Sequence, residues 1–89
     1  MRDEIVDIIA EYLDISPDEL DEHKTLQDLQ IDSLDFAEIM FEIEGKFDVS
    51  IMFEVQGHKD EIRNLGDALN LIEAEIEKQR AAKPVATDE

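Results

Sequence analysis

The residues best placed to do chemistry are Asp32-Ser33-Leu34-Asp35. Asp32 and Ser33 are both types that favour a helix start, and Asp35 follows Asp32 at the spacing of a shortened capping box. A serine at such a junction lies at the positive end of a helix dipole with its hydroxyl toward solvent. The plain alternative is that Ser33 only helps cap the helix. Catalysis by Ser33 would need a base, and the two histidines, His23 and His58, stand in polar runs with nothing that orients them toward a serine. No catalytic residue is therefore assigned. The chain has no cysteine, so it brings no thiol, disulfide or thiolate metal site of its own. It has no glycine-rich phosphate loop and no calcium loop. Asp28, Asp32 and Asp35 match no ligand template, so no metal site is expected.

Helical elements must position this junction. Helix one is expected over about Arg2 to Asp14, with Ile5, Ile8, Ile9, Tyr12 and Leu13 at helical spacing. Ser16-Pro17-Asp18-Glu19 stops it and offers a turn start. Residues 15 to 32 form a long connection, pinned by Leu20, Leu26, Leu29 and Ile31, in which Thr25 to Leu29 has the makings of one helical turn. Helix two is expected over Ser33 to Phe47 with three faces: Phe36, Ile39, Met40, Ile43 and Phe47 toward the core, then Asp35, Glu38 and Glu42, then Leu34, Ala37 and Phe41. Val49 and Ile51 belong to a buried extended link, and a short helix or turn falls somewhere in 52–61. Helix four starts at Asn64 as cap and reaches about Gln79. The expectation is an all-α domain over 1–80, a small four-helix bundle with three longer helices, one short one and a long first loop. Residues 81–89 read as a frayed or disordered tail.

The charge narrows the partners. The net charge is −17, from 25 acids and 8 bases. Such a surface repels nucleic acid and anionic lipid and favours basic protein partners. The charged start is not a signal peptide, and no apolar run is long enough to insert in a membrane. A cytoplasmic monomer is the default expectation. Between Thr25 and Gly57 stand eight acids and one base, Lys46. Within helix two, Asp35, Glu38 and Glu42 are like charges at i,i+3 and i,i+4 spacing, each pair costing roughly 0.2–0.5 kcal/mol. Beside them lie Leu34 and Phe41, which the core stripe does not use. An acidic row flanking an apolar strip reads as a docking surface. Packing of Leu34 and Phe41 beneath helix three or the long loop is the competing reading, and for Phe41 both stay open.

Asp32-Ser33-Leu34-Asp35, with Glu38-Ile39 and Glu44-Gly45-Lys46-Phe47-Asp48-Val49, resembles the acyl carrier protein family. The likeness runs from about residue 2 to 80 and includes Leu26-Gln27-Asp28-Leu29 and the pattern after Asn64. The resemblance implies that Ser33, between Asp32 and Leu34, carries 4′-phosphopantetheine. A separate phosphopantetheinyl transferase would attach it from coenzyme A with Mg²⁺. The thiol of that arm would hold acyl groups as thioesters and present them to partner enzymes of fatty acid, lipid, polyketide or related biosynthesis. It implies docking of basic partners through Asp35, Glu38 and Glu44, beside the Glu42 of the acidic row, around Leu34 and Phe41. It further implies an acyl cavity lined by residues such as Phe36, Met40, Ile43, Ile51, Ile62 and Leu69. Three departures stand out. Gln30 occupies a position where glycine is common, so a positive φ there would strain it. Ile51 lacks the usual Pro-Asp-Glu after it, and Ile51 to Ile62 is a few residues longer than usual. These point to a specialised rather than a housekeeping carrier. The competing function is an acidic, carrier-like interaction module without a prosthetic group.

Overall fold

The structure is a computed structural model and describes residues 1–82. Helix α1 spans Arg2–Leu13, α2 Ser33–Phe47, α3 Met52–Gly57 and α4 Leu65–Ala82. Single 3₁₀ turns lie at Pro17–Glu19 and Lys59–Glu61. The domain is an all-helical bundle with three long helices and one short one. Helix α4 runs past Gln79 to Ala82, so the expected tail begins later than residue 81. The expectation of disorder over the rest of that tail lies outside the described residues.

Each helix presents its apolar stripe to one core. Ile5 and Ile9 of α1, Phe36, Ile39, Met40 and Ile43 of α2, Val55 of α3, and Leu65, Leu69, Ile72 and Ile76 of α4 are buried together. Val49 and Ile51 of the link join them, as does Ile31 just before α2. Helix α1 packs on α2 and α4, and the short α3 bridges α2 to α4. Phe47 is only half-buried, with the Arg80 guanidinium 5.5 Å from its ring centroid.

Three stops with the same geometry shape the chain. Helix α1 ends at Leu13, one residue before the expected boundary at Asp14, because Asp14 turns left-handed at φ 60°. The Ile15 amide then donates to Ala10 O at 3.0 Å and the Asp14 amide to Glu11 O at 3.1 Å, a Schellman motif. At the end of α2, Asp48 has φ 56° and the Val49 amide donates to Glu44 O. The long loop repeats the device. Thr25 Oγ1 accepts from the Asp28 amide at 2.9 Å, opening one helical turn. Gln30 at φ 62° closes it, with Ile31 N–H to Leu26 O at 2.8 Å and Gln30 N–H to Gln27 O at 2.9 Å. The turn expected over Thr25 to Leu29 thus exists, and its stop explains why glycine would suit position 30.

The loop is also tied to α4. The amides of Leu65 and Gly66, at the start of α4, donate to the carbonyls of Lys24 and Glu22 at 2.8 and 2.9 Å. These N–H groups have no partner within their own helix, so the loop backbone satisfies them. Gly66 suits this close approach: a Cβ there would stand 3.3 Å from Glu22 O, tighter than ordinary van der Waals contact. Asn64 caps α4 by accepting from the Asp67 amide at 2.8 Å, as its position before the apolar run predicts. Arg2 adds side-chain ties to Glu73, Glu22 and Asn70. The Arg2 hydrogen bond holds the Glu73 carboxyl below the usual range. The N-terminus of α1, the loop and α4 are therefore tied into one frame.

Candidate functional site

Ser33 is the first residue of α2, and its placement follows from the cap before it. Asp32 has extended backbone geometry, and its Oδ1 accepts from the Asp35 amide at 2.8 Å. Asp35 reaches back to the Asp32 amide at 3.5 Å, completing the reciprocal box expected from the spacing. Two carboxylates are thus committed to holding the junction. The other oxygen of Asp35 accepts from the Tyr12 hydroxyl at 2.9 Å, which ties the junction to α1. That hydrogen bond raises the Tyr12 pKa, since the bond is lost when the phenol ionises. Ser33 itself is exposed.

The Ser33 hydroxyl accepts one hydrogen bond, from Lys59 Nζ at 3.1 Å. The same ammonium lies 5.6 Å from the ring centroid of Phe36, one turn along α2. Neither histidine serves Ser33. His23 contacts Asp21, and His58 contacts Glu61 at 3.0 Å. The Glu61 carboxylate raises the His58 pKa.

The outer faces of α2 and α3 carry the large exposed apolar side chains. Leu34 is 71 % exposed, Phe41 68 % and Phe53 87 %. The open question over Phe41 is settled: it is not packed beneath α3 or the loop. Glu38 and Glu42 are exposed beside it, and neither makes an ion pair among the described residues. Asp35, by contrast, is half-buried and doubly hydrogen-bonded. Glu44 has a task that its place in the acidic pattern did not disclose. Its Oε2 accepts from the Ile51 and Met52 amides at 2.7 and 2.8 Å, so it is the side-chain cap of α3.

The residues expected to line an acyl cavity divide into two groups. Phe36, Met40, Ile43, Ile51 and Leu69 are buried side by side in the core. Ile62 stands apart, half-buried at the mouth of an open pocket of about 270 Å³ with Glu61, Asp67, Asn70 and Leu71. None of the other five lines that pocket.

Sequence reasoning missed Lys59, Tyr12, Phe53 and the inward turn of Glu44. Lys59 lies 26 positions from Ser33 and Tyr12 lies 23 positions from Asp35. No local pattern could pair them. Phe53 carried a weak signal, because Val55 two positions on is core and adjacent helix faces then put Phe53 outside.

The site is thus an exposed serine hydroxyl on the first residue of a capped helix, in an all-helical domain. The protein-family model described as the phosphopantetheine attachment site matches residues 3–72. The acyl carrier protein of Sulfurovum sp. is 38 % identical over 72 residues, covering 80 % of this chain and 92 % of that protein. Those of Wolinella succinogenes and Campylobacter fetus are 35 % and 33 % identical over the same length, covering 91 % and 90 % of those proteins. No solved structure gives a significant match. The chain belongs to the acyl carrier protein family, whose members are non-catalytic carriers with a phosphopantetheine prosthetic group. The geometry fits such a group: the hydroxyl is exposed, its helix start is rigidly capped, and a cation stands beside it.

Proposed function

We propose that Ser33 is the attachment point of 4′-phosphopantetheine and that the protein presents acyl groups, held as thioesters on that arm, to partner enzymes. The observation that supports this best is the exposed Ser33 hydroxyl at a helix start locked by the Asp32–Asp35 box, with neither histidine bonded to it. A phosphopantetheinyl transferase would form the Ser33 Oγ–P bond and break the pyrophosphate bond of coenzyme A. The serine proton and adenosine 3′,5′-bisphosphate would leave. The bound arm supplies the thiol that the cysteine-free chain lacks. The chain supplies the rest: the box fixes where the arm starts, and the flanking surface docks the enzymes that load and unload it.

That docking surface is the outer face of α2, with exposed Glu38 and Glu42 around Leu34 and Phe41. It suits basic patches with an apolar centre. Asp35 and Glu44 act there mainly through the fold, by holding the α2 start and capping α3. Acyl cargo would lie between α2 and α3 or α4, displacing contacts among Phe36, Met40, Ile43, Ile51 and Leu69, with Ile62 at the rim. The protein works as a monomer in the cytoplasm, in fatty acid, lipid, polyketide or related synthesis. The longer stretch from Ile51 to Ile62, which contains α3, and the positive φ of Gln30 favour a specialised member. Among the described residues, no helix is long and apolar enough to cross a membrane.

The test is acyl loading of wild type and Ser33→Ala. Wild type should accumulate a hydroxylamine-labile acyl group after modification. Ser33→Ala should accumulate none while keeping its helical circular dichroism. Loading of Ser33→Ala would overturn the proposal.

A further inference from the structure

Lys59 is one of only 8 bases in a chain with 25 acids. Its ammonium nevertheless makes no ion pair among the described residues. It sits between a neutral hydroxyl, Ser33 Oγ at 3.1 Å, and the face of Phe36. Three of the acids around this corner are otherwise engaged: Glu61 holds His58, while Asp32 and Asp35 hold each other's amides. Lys59 comes from the 3₁₀ turn Lys59–Glu61, in the stretch that is longer than the family pattern. The turn closes with the Glu61 amide on His58 O at 2.9 Å and the Ile62 amide on Lys59 O at 3.0 Å, so it is a defined element.

We propose that Lys59 binds the phosphodiester carried on Ser33 and holds the first part of the arm toward the α3 side of the bundle. This rests on Ser33 being the attachment point. The phosphodiester oxygens lie two bonds from Oγ, within reach of an ammonium that already touches Oγ. A new anion there meets the Asp32 and Asp35 carboxylates on a chain of net charge −17, which opposes it by like-charge repulsion. Lys59 is the cation placed to offset that repulsion. Its acceptor changes from a neutral oxygen to an anionic one, so an ion–neutral hydrogen bond becomes one between opposite charges, which adds Coulomb attraction. Lys59 is a positioning residue: it has no part in the thioester chemistry, and it biases where the arm begins its sweep.

The experiment compares apo and modified forms of wild type, Lys59→Gln, Lys59→Arg and, as a distant control, Lys24→Gln. Intact mass first establishes that each protein has gained one phosphopantetheine. Thermal midpoints then close a cycle between modification and residue 59. The change in midpoint on modification should be more favourable in wild type than in Lys59→Gln by about 2–4 °C. Lys59→Arg should keep most of that difference, Lys24→Gln should match wild type, and 0.5 M salt should shrink it. The ³¹P resonance of the phosphodiester should move with salt in wild type and stay nearly still in Lys59→Gln. Equal midpoint changes with a salt-insensitive ³¹P resonance in fully modified proteins would overturn the role of Lys59 and leave the carrier reading standing. Absence of any mass gain on wild type, with a control carrier modified, would overturn both.

Discussion

Glu44→Ala should unfold the protein at a markedly lower temperature, whereas Glu38→Ala, six positions earlier on the same helix, should not. The Glu44 carboxylate accepts from two α3 amides, at 2.7 and 2.8 Å, and the residue before α3, Ile51, has no side chain that could take over. Loss of a helix cap costs about 0.5–2 kcal/mol, and hydrogen bonds to a charged group lie at or above the upper end of that range. Taking about 2 kcal/mol, and about 4–8 °C per kcal/mol for a domain of this size, the midpoint should fall by roughly 8–16 °C. Glu44→Gln keeps an acceptor oxygen and should recover about half of the loss. Glu38→Ala removes an exposed like charge from the acidic row and should change stability by less than about 0.5 kcal/mol. Thermal melts followed by far-UV circular dichroism give the midpoints, and amide hydrogen exchange at Ile51 and Met52 reports the cap directly. Equal midpoints for Glu44→Ala and Glu38→Ala, or unchanged protection of those two amides, would refute the capping role.

Gln30→Gly should stabilise the protein by up to about 1 kcal/mol, because φ 62° at Gln30 is a conformation glycine adopts freely; a lower midpoint in denaturant would count against strain there. His58 has a pKa raised by Glu61, so its folded value lies above its unfolded one. The stabilisation it brings is complete below the unfolded value, about 6.5, and disappears as pH rises through the folded value. His58→Gln should therefore lower the melting midpoint at pH 6 and leave it unchanged at pH 9, and an equal effect at both would disprove the linkage. Glu38→Lys should slow association with a basic partner several-fold at low salt and much less at high salt, with helicity unchanged. Stopped-flow rates that ignore both the substitution and the salt would remove α2 as the docking face.

Much of this architecture was legible because its causes are local. The α2 boundaries follow from Asp32 as cap, Asp35 as its reciprocal partner and the run of apolar residues to Phe47. The α4 start follows from Asn64 in the same way. The end of α1 was overestimated by one residue, since Asp14 continues the helix by composition yet turns left-handed to close a Schellman motif. The tasks of Glu44 and Lys59, and the second task of Asp35, were not legible, because each depends on a partner brought close by the fold: the α3 amides, Ser33 and Tyr12. Composition marks an acidic face, but only packing distinguishes carboxylates that build the fold from those left to meet a partner. Glu38 and Glu42 remain exposed, while Asp35 and Glu44 turn to backbone and hydroxyl donors.

The central claim, that Ser33 receives the prosthetic arm, is tested most directly by peptide-resolved mass spectrometry after incubation with coenzyme A, Mg²⁺ and a broad-specificity phosphopantetheinyl transferase. The expected result is the addition of one phosphopantetheine, confined to the peptide that contains Ser33 and absent from Ser33→Ala. Modification at another residue, or none by any transferase of the source organism while a control carrier is fully converted, would contradict it.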